Sequence, residues 1–247
     1  MNRISMKSTI LAAAACLAFG AADAQPNLDG LEVANAPKAT RALKGTDLIG
    51  FGNAADFAGF FKNGWESERD DPKNWTLERP AAGFLFLRMP SKDDSVQIGH
   101  KVGPFAVASN PMLRVKFRVD QVPPGADIST AKREDTAFRF FVVFDKKDGW
   151  IAPNTIGYAW TTSNEVGAFI RSDRTGLKNV WYVVIGKGQG TNGQWQTFER
   201  DVEADYRRAF RINGEVPRIV AIGIKGDTND THTQSLAGVA EATLGPR

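Results

Sequence analysis

Apolar and polar residues alternate most cleanly over Met112–Asp120, where Leu113, Val115, Phe117 and Val119 interleave with Arg114, Lys116 and Arg118. Successive side chains on a strand point to opposite faces, so this segment is predicted as a strand with one buried and one basic face. Pro123-Pro124-Gly125 breaks the chain after it. Thr136–Asp145 is apolar on both faces except at Arg139, the pattern of a central strand covered on both sides. Further strands are predicted at Gly83–Met89, Thr155–Thr161, Asn179–Gly186, Pro217–Gly226 and Leu236–Leu244, with turn-rich stretches between them. At Asp201–Phe210 the apolar spacing changes to four, placing Val202, Tyr206 and Phe210 on one helical stripe. A helix this short needs a sheet to pack on. A second short helix is predicted around Ala54–Lys62, with Phe57, Phe60 and Phe61 buried. Many strands and little helix imply an all-β fold, a jelly-roll-like antiparallel β-sandwich with one or two short helices.

The first 24 residues follow another pattern. Arg3 and Lys7 precede an apolar run, Ile10 to Gly20, that is too short to span a bilayer, and Ala22-Asp23-Ala24 fits a small-x-small cleavage site. Residues 1–24 therefore read as a secretory signal, with Gln25 as the new N-terminus. Lipoprotein processing at Cys16 is the alternative, but the residue three places before it is Ala13 where Leu is usual. Residues 25–45, rich in Pro, Ala and Asn, read as a tether or loosely packed arm, and residues 46–247 as a single β-sandwich domain. The reading implies a periplasmic or secreted protein with no membrane span.

Composition narrows the chemistry. Cys16 is the one cysteine, so cleavage after Ala24 would leave no thiol, disulfide or cysteine metal site. His100 and His232 are the only histidines. The formal charge of +3 for the chain comes without a basic tract, which argues against nucleic acid as a partner. Gly188-Gln189-Gly190-Thr191-Asn192-Gly193 matches the dinucleotide fingerprint literally. It leads into Gln194-Trp195-Gln196-Thr197-Phe198, which reads as a strand, whereas the fingerprint needs a helix N-terminus there. It is read as a loop between antiparallel strands.

Four stretches resemble a known family: Glu134–Asp145, an acidic pair followed by an Arg-bearing strand; Tyr158-Ala159-Trp160; Trp195 with Arg200-Asp201-Val202, Asp205-Tyr206 and Phe210; and Asp227-Thr228-Asn229-Asp230-Thr231. Together they resemble domain of unknown function 3047, found in secreted or periplasmic bacterial proteins, over roughly Gly83 to Leu244. The resemblance implies a jelly-roll β-sandwich and no established activity. Two departures stand out. Val115-Lys116-Phe117 occupies a place where the family tends to carry Trp-x-Trp, and the late loop exchanges its two middle residue types.

The acids and aromatics supply the candidate sites. Asp227, Asn229 and Asp230, with Glu241 on the last strand, offer hard oxygens of the kind calcium takes. A hydrogen-bonded turn accounts for the same loop residues. The expectation for cofactors is none, or a structural calcium. Arg139, flanked by Phe138 and Phe140, is costly to bury unpaired. It is expected either to grip a ligand on the concave sheet face or to pair internally with Asp135 or Asp227. Asp135, Asp145 and the loop residue Trp150 complete the predicted ligand-binding set. Asp135 and Arg139 stand ~13 Å apart on an unbroken strand, so each needs partners from neighbouring strands. Paired carboxylates also suit glycoside hydrolysis, with Glu134, Asp135, Asp145 and Asp227 as candidates.

Three functions remain open at this point. The first is an exported, non-catalytic β-sandwich binding protein for a glycan or small polar molecule. The second is a glycan-acting hydrolase or lyase that uses carboxylates, and the third an envelope structural or assembly protein.

Overall fold

A computed structural model describes residues 45–52, 54–79, 83–146, 152–174 and 179–247. The signal segment, nearly all of the arm, and Trp150 lie outside the described residues.

The chain forms β1 (Thr46–Asp47), α1 (Phe57–Phe61), β2 (Trp65–Ser67), β3 (Thr76–Glu78), β4 (Phe86–Lys92), β5 (Ser95–Phe105), β6 (Met112–Gln121), β7 (Thr136–Phe144), β8 (Thr155–Thr161), β9 (Phe169–Arg171), β10 (Val180–Lys187), β11 (Gln196–Asp201), α2 (Val202–Phe210), β12 (Ile219–Asp227) and β13 (Gln234–Gly245). Two sheets face each other as a jelly-roll-like β-sandwich. The six-stranded sheet runs β11-β6-β13-β4-β3, with β1 also paired to β13, and the seven-stranded sheet runs β2-β5-β12-β7-β8-β10-β9. The predicted antiparallel pairing holds for every strand pair but one. β10 lies parallel to β8, because the chain forms β9 first and then inserts β10 between β8 and β9.

The alternation read in the sequence sorts residues between the core and the outer faces. On β6, Leu113, Val115, Phe117 and Val119 face the inter-sheet core, while Arg114, Lys116 and Arg118 point outward. β7 is buried at every position, as its two apolar registers require. Its Phe138, Phe140, Val142 and Phe144 join the main core, and Phe141 joins a second apolar cluster with Ile128, Ala159, Val180, Tyr182 and Val184. That second cluster covers the outer face of the seven-stranded sheet, which is therefore not an open surface at its centre. The main core draws on residues from Leu48 to Leu244.

The two helices close the sandwich at different places. α2 begins at Asp201, whose side chain accepts a hydrogen bond from the Ala204 N–H at 2.9 Å. It ends at Arg211 in the left-handed conformation, φ +53. Its stripe of Val202 and Tyr206, with half-buried Phe210, packs on the sandwich, with the Tyr206 ring 4.4 Å from Phe144. α1 touches both β2 and β3, the edge strands of the two sheets, and so plugs the gap between them. No helix among the described residues is long and apolar enough to cross a membrane.

The glycine-rich segment Gly188–Gly193 is a loop between strands, as expected, but the two strands lie in different sheets. It carries the chain from β10 in one sheet to β11 in the other. Thr191 pins it to β6: its N–H donates to the Val119 carbonyl at 2.7 Å, and its Oγ1 accepts from the Val119 N–H at 3.2 Å. Gly190 is required there, since a Cβ would fall 2.6 Å from the Val119 carbonyl oxygen and φ is +122.

Candidate functional site

Two features of the sandwich carry concentrated chemistry: a buried charge network at one end of the seven-stranded sheet, and an open groove at its β2 edge.

The network is built on a cross-strand row. Register places Gln97 of β5, Lys225 of β12 and Arg139 of β7 side by side. Arg139 is 1% exposed, and its partner is Glu134, not the expected Asp135 or Asp227. Its Nη1 lies 3.4 Å from Glu134 Oε1, and its Nη2 donates to the Glu134 carbonyl at 2.8 Å. Glu134 precedes the strand and so can fold back over it, whereas Asp135 is turned toward the late loop. Tyr182 on β10 donates to Glu134 Oε1 at 2.6 Å, and Ser172 donates to Oε2 at 3.2 Å. Burial raises the Tyr182 phenol above its ordinary pKa, which keeps it a donor. The guanidinium also lies 4.5 Å over the Tyr182 ring.

Around this pair, Lys225 bonds to Asp227, and Arg174 bonds to Asp230 and reaches Glu134 at 3.5 Å. Asp135, fully buried, clamps the late loop. It accepts from the N–H of Asp230 at 3.2 Å, the N–H of Thr231 at 2.7 Å and the Thr231 hydroxyl at 2.6 Å. Burial, reinforced by the nearby Asp227 and Asp230 charges, pushes the Asp135 carboxyl up to about 6 against the Thr231 donors. Burial likewise lowers the Lys225 ammonium, opposed by Asp227. In this network Arg139, Arg174 and Lys225 face Glu134, Asp135, Asp227 and Asp230, one acidic side chain more than basic ones. With these groups enclosed and engaged with one another, the network ties two loops and the Ser172–Arg174 segment to β7 and β12. Among the described residues Arg139 and Asp135 are covered, while Arg174 and Asp230 are half-buried at the outer side of the network.

The remaining predicted residues are dispersed. Asp145 sits at the far end of β7, half-exposed and paired with Arg218 at 3.1 Å. Glu241 lies on β13 in the other sheet, 3.8 Å from Lys116, and is not brought to Asp227, Asn229 and Asp230. Within the late loop Asp230 turns to Arg174 and Asp227 to Lys225. Among the described residues no group of three or more His, Cys, Asp or Glu side chains is arranged to hold a metal ion. His100 stacks on Trp65 with ring centroids 5.1 Å apart, and His232 pairs with Asp93 at 2.8 Å.

The groove, of ≈ 450 Å³, lies where α1 meets the segment that crosses from β2 to β3. Its lining includes Phe57, Phe61, Ser67, Arg69, Asp71 and Lys73. Helical spacing explains the aromatic floor: Phe57 and Phe61, four residues apart, share one face of α1 and stack at 5.6 Å and 30°. Phe60, with its ring 6.0 Å from that of Phe57, is fully buried against Phe51 and Trp65. The sequence reading placed all three phenylalanines in the core, but Phe57 and Phe61 are only half-buried. The spacing i, i+3, i+4 puts all three rings on one side of α1, and the structure buries Phe60 while leaving Phe57 and Phe61 half-buried, a difference that the spacing does not encode. Ser67 donates to the backbone carbonyls of Arg69 and Asp70, which shapes the rim.

The outer face of the six-stranded sheet holds a third arrangement. Lys116 sits 3.9 Å over the Phe84 ring, and Arg118 lies 5.3 Å over Trp195, which meets Phe86 edge-on at 5.1 Å. Arg118 also bonds Asp120 at 2.8 Å. The basic face predicted for β6 is thus largely covered by aromatic rings.

No match was found among curated proteins. Among solved structures, the xyloglucanase domain of NopAA, a type three effector from Sinorhizobium fredii, is 10% identical with a TM-score of 0.40, covering 74% of this chain and 93% of that one. The family 11 carbohydrate-binding module of a Clostridium thermocellum cellulase is 10% identical with a TM-score of 0.38, covering 84% and 97%. The family 12 xyloglucanase from Bacillus licheniformis is 9% identical with a TM-score of 0.37, covering 74% and 100%. At these values the likenesses carry no argument about function. Residues 64–243 match the model of the family described as protein of unknown function DUF3047, spanning nearly the whole sandwich, and the chain belongs to that family.

Proposed function

We propose that this chain is an exported, non-catalytic binding protein whose groove at the sandwich edge holds a glycan or a similar small polar ligand. The observation that carries the reading is the pair of stacked, half-buried rings Phe57 and Phe61 flooring a ≈ 450 Å³ groove rimmed by Arg69, Asp71 and Lys73. An apolar floor with a few convergent polar groups at this volume is the usual form of a small-molecule site. The apolar face of a sugar ring packs on such rings, and the rim supplies hydrogen bonds to its hydroxyls.

A glycoside hydrolase needs two carboxylates flanking the bond. Asp71 is the one carboxylate among the described residues that line the groove, while Glu134, Asp135 and Asp227 are buried in the charge network. These placements favour binding over hydrolysis. Export rests on the signal-like residues 1–24.

The test is retention of the mature protein on a panel of immobilised polysaccharides, with reducing-sugar release measured on every hit. Binding that drops at least tenfold in Phe57→Ala and Phe61→Ala, without release of reducing ends, is the expected result. Release of reducing ends overturns the non-catalytic reading. Absence of binding across the panel, or binding indifferent to both substitutions, overturns the site.

A further inference from the structure

The rim of the groove is chemically asymmetric. It presents two cations, Arg69 and Lys73, against the single carboxylate Asp71. Among the described residues no carboxylate lies within ion-pair distance of Arg69 or Lys73, whereas Arg118, Arg139, Arg174 and Arg200 each hold an acidic partner. Asp71 likewise has no basic partner among the described residues. Arg69, Lys73 and Asp71 line the groove beside the two rings, with no ion-pair partner among the described residues.

Each group selects for a different property of the occupant. Stacked rings ask for an apolar face. Asp71 is acceptor-only when ionised, so it asks for a hydroxyl or amide donor and repels an occupant that is purely anionic. Arg69 and Lys73 ask for anionic oxygens, and Arg can take a carboxylate through two parallel bonds. Free phosphate offers no apolar face to the two rings, and a neutral sugar leaves both cations unmatched. We propose, building on the binding reading above, that the groove selects an acidic glycan, a polysaccharide whose sugar residues carry both hydroxyls and carboxylates. Hydroxyls meet Asp71, carboxylates of the polymer meet Arg69 and Lys73, and a sugar ring lies on Phe57 and Phe61.

The experiment compares matched polymers that differ only in charge. Polygalacturonate and alginate are titrated against the mature protein beside their esterified, neutral forms, at 50 and 500 mM salt. Exposed charge pairs of this kind correspond to about 1.4- to 5-fold in affinity each, so the acid form should bind about 2- to 25-fold more tightly than its ester at low salt. That preference should fall at 500 mM salt and disappear in Arg69→Gln/Lys73→Gln. Phe57→Ala should weaken acid and ester forms alike. Equal binding of acid and ester, or preference for the ester, overturns the acidic-glycan inference and leaves the binding reading standing. A preference that survives Arg69→Gln/Lys73→Gln also overturns it. Failure of both forms of both polymers to bind overturns the inference, and retention on the polysaccharide panel above then decides the binding reading separately.

Discussion

Replacing Asp135 with Asn removes one titrating group from the buried network and should reverse part of the pH dependence of stability. Asp135 is fully enclosed, and burial with its acidic neighbours raises its carboxyl from 3.8 to about 6. Between those two values the folded protein holds a proton that the unfolded chain has released, so stability falls as pH rises. The stabilising contribution is complete below pH ~4 and lost by pH ~6.5. At about 1.36 kcal/mol per pKa unit, the roughly two-unit difference sets a ceiling of about 3 kcal/mol. The direction is opposite to that of an ordinary salt-bridged aspartate. Asn offers one acceptor oxygen where the carboxylate offers two, to the three donors from Asp230 and Thr231. It should therefore cost about 1 kcal/mol at every pH. Urea melts of both proteins from pH 3.5 to 8 give the test. The stability of the wild type relative to Asp135→Asn should decline by up to about 3 kcal/mol between pH 4 and 6.5 and stay level above pH 7. A relative stability that rises with pH through this window would mean the Thr231 donors hold the carboxylate ionised, and the reasoning would fail.

Three further outcomes follow from named contacts. Gly186→Ala sets a Cβ 2.3 Å from the Trp160 ring, so it should destabilise by about 1–3 kcal/mol through overpacking, read by calorimetry. Glu134→Gln leaves Arg139 enclosed without its counter-charge and should cost about 3–5 kcal/mol in urea melts. Adding Arg139→Met should recover part of that loss, and a greater loss in the double variant would contradict the pairing. Asp201→Ala removes the acceptor for the Ala204 N–H and should lower stability by about 1 kcal/mol, with a matching loss of helix protection in hydrogen exchange.

The local patterns that specified structure were those whose period is set by the backbone. β6 and β7 fall where alternation and double-sided burial placed them, because a strand's two faces are fixed by its pleat. α2 begins at its acidic cap for the same kind of reason. β5 was not read, because Gln97, Gly99, His100 and Gly103 interrupt its apolar pattern. It forms an eleven-residue strand because β2 and β12 supply hydrogen-bond partners on both sides. The parallel placement of β10 against β8 is likewise a matter of partners distant in sequence, which no local period encodes.

The candidate sites divide along the same line. The residue types that matter were visible: Arg139 between two phenylalanines demanded a counter-charge, the acids of the late loop demanded partners, and Phe57, Phe60 and Phe61 marked a small amphipathic helix. Which acid answered Arg139 depended on Tyr182 arriving from β10 to hold Glu134 and on the late loop engaging Asp135. That Asp145 and Glu241 stand apart from the network follows from strand length and from their assignment to different sheets. The groove exists because β2 and β3, neighbours in sequence but edge strands of different sheets, leave a gap that α1 fills with Phe60 while Phe57 and Phe61 stay half-buried. The sequence by itself determined the faces of strands and helices, because those are set by backbone period. Only the tertiary structure decided which charges meet and which rings remain reachable, because both depend on contacts between segments that local sequence does not encode.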